Sequence, residues 1–251
     1  MPQPTSGQTP SDQPDKQHKP VVPSDANTTA DHLTVRDLRR RWKPTKERLA
    51  NLNPHHPTNI RFHRACSWIQ RTETAHPTDD LDLTLCFAWI GFNALYGQWV
   101  SDTNEPASDR YSWQTFLKRM SELDKKNKIA AVLKEHKKLV LTILDDAYLG
   151  KYFWRDPSPE RARQTTPAKR NAPRFYEAKN WIEILESLMD RIYFLRCQIV
   201  HGASTHNSKE NRKTARHCTL MLEHLLQAIL LIWIDHGSDE DWGPLCYPPQ
   251  G

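Results

Sequence analysis

The stretch from Asp82 to Val100, DLTLCFAWIGFNALYGQWV, is apolar nearly all the way round a helical wheel. A helix without a polar face must be enclosed by neighbouring elements or shared with a partner. This one segment therefore demands several others packed around it, and the chain supplies them as helices. Val35, Leu38 and Trp42 recur at helical spacing ahead of Pro44, which is expected to interrupt that lead-in helix. Ile60, Cys66, Trp68 and Ile69 are the expected buried positions of a second helix. Trp113, Phe116, Leu117, Met120 and Leu123 follow the i, i+3, i+4, i+7 pattern, and Val132, Leu133, Leu139, Val140, Ile143 and Leu144 mark a further helix. Near the C-terminus, NWIEILESLMDRIYFLRCQIVHG reads as a long amphipathic helix started by Asn180 and stopped by Gly202, a residue suited to a left-handed cap. It is followed by NRKTARHCTLMLEHLLQAILLIWIDHG. No run of alternating residues argues for strands, so the fold class is all-α, a helical bundle with extra helices.

The bundle is expected to occupy residues 33–251 as one domain. Residues 1–32 are rich in Pro, Gln and Ser with almost no large apolar side chain, a composition that cannot offset its own ordering entropy, and read as a disordered tail. The segment from Arg155 to Arg174 carries prolines, threonines and charges without periodicity and reads as a basic surface loop.

The net charge of +5 leans only weakly towards a polyanionic partner. Five cysteines without a C-x-x-C pair argue against a disulfide framework and a zinc site. The N-terminus has no apolar signal region, and the greasy run from Leu220 to Ile234 is too short to span a bilayer and is broken by Glu223, His224 and Gln227. A soluble, cytoplasmic protein with no membrane association is expected.

Leu185, Leu188, Ile192, Leu195 and Ile199 form the buried stripe of the long C-terminal helix, and Arg196 falls on the flank of that stripe. A guanidinium cannot shed its charge, so at that position it needs an acidic partner or a cleft that receives an anion. His201 comes at the helix end, where the dipole favours its protonated form, a placement suited to proton transfer. Five residues turn a straight helix by about 500°, which leaves Arg196 and His201 roughly 140° apart. Converging both on one phosphate calls for local unwinding near Gly202 or a second copy across a two-fold axis.

Other candidates carry two readings each. Asn93 lies inside the apolar GFNALYG helix and either contacts substrate or braces a neighbouring helix by a structural hydrogen bond. His206 and Asn207 follow in a loop that either touches substrate or is plain surface. Arg163, Lys169 and Arg170, in the basic segment, either grip phosphate or keep a loop soluble. His217, Cys218 and His224 lack a compact ligand set, so no metal is expected there.

RIYFLRCQIVHGASTHNSKENR (Arg191 to Arg212), CFAWIGFNALYG, RFHRACSWIQR and DEDWGPLCYP, which together run across most of the chain after residue 33, resemble the HEPN domains, in particular bacterial members with an R-x4-6-H motif. The resemblance implies an all-α HEPN-type bundle that forms a homodimer with two motif copies facing one cleft. It further implies a metal-independent endoribonuclease needing no cofactor, of the kind found among toxins and antiviral defence effectors, some restrained by a cognate antitoxin or inhibitor protein. Arg196 and His201 are the motif pair by position. Where the family commonly has a polar residue such as asparagine after the arginine, this chain has Cys197. In such a scheme the RNA 2′-hydroxyl is the nucleophile, His201 moves protons and Arg196 holds phosphate oxygens. A non-catalytic helical module that binds a nucleotide or a protein partner is the alternative.

Overall fold

The computed structural model describes residues 33–74, 80–103, 105–209 and 212–249. The tail expected over residues 1–32 lies outside the described residues. From Leu33 onward the chain is mostly helical. Helix α1 (Val35–Leu52) opens on a capping box in which the Thr34 side chain and Asp37 satisfy each other's backbone N–H groups. It buries Val35, Leu38, Trp42 and Leu49. Pro44 does not interrupt it: the proline sits on the exposed face, where water can serve the carbonyl its missing N–H leaves free. Helix α2 (Pro57–Thr74) packs antiparallel-wise along the apolar α3 (Leu81–Tyr96), which Asp80 caps by accepting from the Leu83 N–H. In α2 Cys66 is buried as expected, Ile60 and Ile69 are half-buried, and Trp68 stays exposed, because the inward face is carried by Arg61, Phe62 and Ala65.

After α3 comes a two-residue hairpin, β1 (Trp99–Val100) paired antiparallel with β2 (Glu105–Pro106). Such short strands leave no alternating pattern to read. Helix α4 (Asp109–Leu123) follows, burying Trp113, Phe116, Leu117 and Met120. The single helix expected around Val132 to Leu144 is two, α5 (Lys128–Glu135) and α6 (Lys137–Asp145), broken at His136, whose ring stacks on His224 with centroids 3.9 Å apart.

The expected loop from Arg155 to Arg174 is also helical. Beyond a 3₁₀ turn (Ala147–Leu149) and the short α7 (Lys151–Trp154) lie α8 (Pro159–Arg163) and α9 (Pro167–Glu177). Each begins with a hydroxyl cap and a proline in its first turn: Ser158 accepts from the Arg161 N–H, Thr166 from the Lys169 N–H. Thr166 is fully buried and also donates to the Leu144 carbonyl, which pins α9 to the end of α6.

Helix α10 (Trp181–Val200) buries Leu185, Leu188, Ile192 and Leu195, and Gly202 takes φ +67° just past its end, the left-handed geometry expected of it. Asn180 occupies the cap position without a side-chain hydrogen bond. Helix α11 (Arg212–His236) runs through the middle against α1, α3, α4, α5 and α6. By length and composition α11 could cross a membrane, longer than the sequence run suggests, but 61% of its apolar window is buried inside the bundle. Trp89, Trp113 and Trp233 fill the shared core, and Trp242 of the C-terminal segment stacks on Trp233 at 4.6 Å.

Candidate functional site

Arg196 projects from the flank of α10 with its side chain 24% exposed. Its nearest carboxylate is that of Asp109, the first residue of α4, with Oδ2 3.8 Å from Nη1. Asp109 is held from its other oxygen. Oδ1 accepts from the Tyr96 hydroxyl at 2.5 Å and from Asn93 Nδ2 at 3.3 Å, and the same amide nitrogen donates to the Tyr96 oxygen at 3.2 Å. Burial, and then the adjacent Asp109 charge, push the Tyr96 phenol well above its ordinary pKa, so Tyr96 remains a donor. Asn93 thus braces Asp109, and through it the motif helix, which is the structural one of its two expected readings. These groups, carried by α3, α4 and α10, line one side of a cleft of about 530 Å³.

Arg64 of α2 and the C-terminal residues Leu245, Cys246 and Tyr247 also line this cleft, and Arg61 of the same helix holds that C-terminal segment in place. Arg61 is 0% exposed and, among the described residues, has no carboxylate within 4 Å. Its guanidinium donates instead to the carbonyls of Leu95, Gly97, Trp242, Gly243 and Pro244. Desolvation by burial lowers its pKa to about 10. Arg64, one turn on, donates to the Cys246 carbonyl at 2.8 Å and the Tyr247 carbonyl at 2.5 Å. Together they tie the irregular C-terminal segment across α2 and the end of α3, where Trp99 N–H reaches the Pro244 carbonyl. That places Tyr247, 68% exposed, on the rim beside Trp68, 36% exposed. Neither arginine was singled out by the sequence, which offers no signal that separates them from surface cations of a polar helix face.

Arg64 also lines a second, adjoining groove of about 750 Å³ between α1 and α2. Arg36, Arg39, Arg40, Lys43 and Lys46 face it, with Glu47 the acidic residue on that wall. Their spacing of three and four residues puts them on one side of α1, flanking the buried stripe, whose Trp42 also lines the groove. This basic face was written in the sequence as RDLRRRWKPTK, a signal passed over there in favour of the apolar positions it contains.

His201 stands apart. It is the exposed C-cap residue of α10, with its backbone N–H bonded to the Cys197 carbonyl at 3.0 Å, and it does not line the Arg196 cleft. Within one chain the structure therefore does not bring the motif pair together, in keeping with the angular separation computed from helix geometry. His206 lies farther along the same loop with Nε2 2.9 Å from Asp80 Oδ2, and this carboxylate raises its pKa. Asn207, at φ +59°, donates its backbone N–H to Asp82 Oδ2 at 2.8 Å. Both residues fasten the loop to the first turn of α3.

The three basic candidates lie away from the cleft. Arg163 pairs with Glu160 at 3.1 Å on the surface of α8, Lys169 pairs with Asp145 of α6, and Arg170 is exposed on α9. Two of them are neutralised by partners, and the helical backbone removes the flexible phosphate-gripping loop they were expected to form. Among the described residues, Asp80, Asp82 and His206 bring three ligand-type atoms within 4.8 Å of one another. All three groups already have partners in the contacts just given.

Neither a family model, nor a curated protein, nor a solved structure matches this chain.

Proposed function

We propose that this protein is a metal-independent endoribonuclease of the HEPN type, acting as a homodimer on single-stranded or looped RNA. The observation that carries the reading is the environment of Arg196. Asp109 Oδ2, at 3.8 Å, is beyond hydrogen-bond reach, so the guanidinium keeps its donors available in an open cleft. Around it lie the features a single strand requires: exposed Trp68 and Tyr247 as surfaces for unstacked bases, and the basic face of α1, joined to the cleft through Arg64, as a track for phosphates.

RNA brings its own nucleophile, the 2′-hydroxyl. Arg196 would hold the phosphate oxygens as negative charge builds on them, and His201 would take the hydroxyl proton or return one to the leaving oxygen, giving a 2′,3′-cyclic phosphate. Because His201 lies outside its own chain's cleft, this chemistry requires the imidazole to come from a second copy. Purified protein is expected to cleave unstructured RNA in EDTA. Arg196→Ala and His201→Ala should each lower the rate about a hundredfold or more with helicity unchanged, and a mixture of the two inactive variants should recover activity through mixed dimers. Cleavage that survives both substitutions refutes the assignment.

The position of His201 favours one alternative, a non-catalytic module that binds a nucleotide or a protein partner. It is distinguished by RNA binding without cleavage and by a monomeric mass in sedimentation.

A further inference from the structure

A third cavity, of about 330 Å³, opens between α4, the start of α7, the start of α9 and the middle of α10, and shares no lining residue with the Arg196 cleft. Arg191 of α10 lines it. This side chain is 7% exposed, yet among the described residues it has no carboxylate within 4 Å. Its hydrogen bond is a long one, 3.4 Å from Nη1 to the Asp146 carbonyl. The carboxylates behind it are engaged elsewhere, Asp146 by the Thr214 hydroxyl and the Tyr148 N–H, Asp145 by Lys169. Burial accordingly lowers the Arg191 pKa. A permanently charged group so enclosed and so sparsely bonded is costly unless an anion completes its surroundings.

The cavity wall is arranged to receive one. Arg110 of α4 and Lys151 of α7 also line it, and Asp190 is the acidic residue present, paired with Arg110 at 2.6 Å. Three cations against one carboxylate leave two positive charges, which matches a phosphoryl group carrying about −1.5 to −2 at neutral pH. Gly150 completes the seat: a Cβ there would collide with Arg191 Nη1, so the absence of a side chain is what lets the guanidinium lie where it does. Leu149, Pro167 and Phe194 give the remaining wall an apolar character, and the volume is at the small end of ligand pockets, which run from about 300 Å³ upward.

We infer that this cavity binds a small phosphomonoester or free phosphate, with Arg191, Lys151 and Arg110 gripping the phosphoryl oxygens. The site is independent of the nuclease cleft and of whether that cleft cleaves RNA. Isothermal titration of the full chain with inorganic phosphate, AMP and adenosine tests it. Phosphate and AMP are expected to bind saturably with Kd below about 1 mM and adenosine not at all. Tighter binding of AMP than of phosphate assigns an organic phosphate, and equal binding assigns the free ion; either outcome supports the site. Lys151→Ala, at an exposed position, should weaken binding about tenfold. Gly150→Ala, at φ −120° where alanine is allowed, should do the same by displacing the guanidinium, with circular dichroism confirming that both variants are folded. Absence of saturable binding up to about 10 mM, or an affinity that neither substitution changes, overturns the inference.

Discussion

Replacing Arg61 by methionine should unfasten one wall of the cleft while leaving the bundle folded. The side chain is fully buried and supplies donors to five carbonyls, three of them in the C-terminal segment at 3.1 to 3.2 Å. A hydrogen bond to a charged group contributes about 1.5 to 3 kcal/mol, but the five do not add, because the charge itself was costly to bury. The orphaned carbonyls of Leu95 and Gly97 stay at the end of α3, whereas those of Trp242, Gly243 and Pro244 can regain water if their segment lifts away. Removing one member of a buried charged network costs about 3 to 5 kcal/mol, and rehydration of the lifted segment puts the expected loss near the lower figure. For a domain of this size each kcal/mol moves Tm by about 2 to 4 °C, so thermal denaturation should show a fall of about 6 to 12 °C. Brief chymotrypsin digestion followed by mass spectrometry should reveal cleavage after Trp242 or Leu245 in Arg61→Met and little in the wild type. Arg61→Lys, which keeps the charge but not the fork, should fall between them. A variant with wild-type Tm and a protected C-terminal segment would refute the claim that this arginine holds the wall.

Two further substitutions separate electrostatic effects from packing. Glu223 of α11 has no hydrogen-bond or ion-pair partner among the described residues, and burial raises its pKa from the ordinary 4.5 to about 7. Below 4.5 folded and unfolded chains both hold the proton, between 4.5 and 7 only the unfolded chain releases it, and above 7 both are ionised. Stability therefore falls as pH rises through that window, and Glu223→Gln should be more stable than wild type above pH 7 by up to about 3 kcal/mol and equal to it near pH 4. Denaturant titrations at about pH 4, 6 and 8 check this, and two curves that run parallel would refute it. Asp109→Asn removes the charge facing Arg196 while keeping the shape that Tyr96 and Asn93 brace. It should cost about 1 to 2 kcal/mol of stability and raise affinity for a non-cleavable single-stranded RNA several-fold in filter binding; unchanged or weaker binding would refute a competing role for that carboxylate.

Most helices were legible because three- and four-residue apolar spacing survives whatever they pack against, as in α1, α4 and α10, while α3 declared itself by being apolar nearly all round. Where composition stood in for periodicity the reading failed. The prolines and threonines around Pro159 and Pro167 suggested a loop, although a hydroxyl followed by proline is equally the signature of a helix start, which Ser158 and Thr166 turn out to be. Pro44 misled in the opposite sense: a proline ends a helix only where its lost hydrogen bond has no substitute, and on the solvent face of α1 water provides one. The hairpin at Trp99 and Glu105 is set by what it docks on, since its strands are too short to hold a pattern of their own.

The site was harder to read for a reason that Arg61, Arg191 and Arg196 make concrete. All three lie on helices, and nothing in the spacing tells which of them is satisfied by the fold. Arg61 has both terminal nitrogens bonded to carbonyls from two distant segments, Arg191 is as enclosed but barely bonded, and Arg196 is partly exposed with one carboxylate beyond hydrogen-bond distance. What distinguishes a structural cation from one that can take a ligand is the count and distance of acceptors around it. Those acceptors come from elements far away in the chain: the C-terminal segment for Arg61, the first residue of α4 for Arg196. Periodicity could place Arg196 on the flank of its stripe and His201 about 140° away, because both statements concern a single helix. It could not set Asp109 and Tyr96 beside Arg196, nor the basic face of α1 next to that cleft, because those neighbours follow only once the helices have packed.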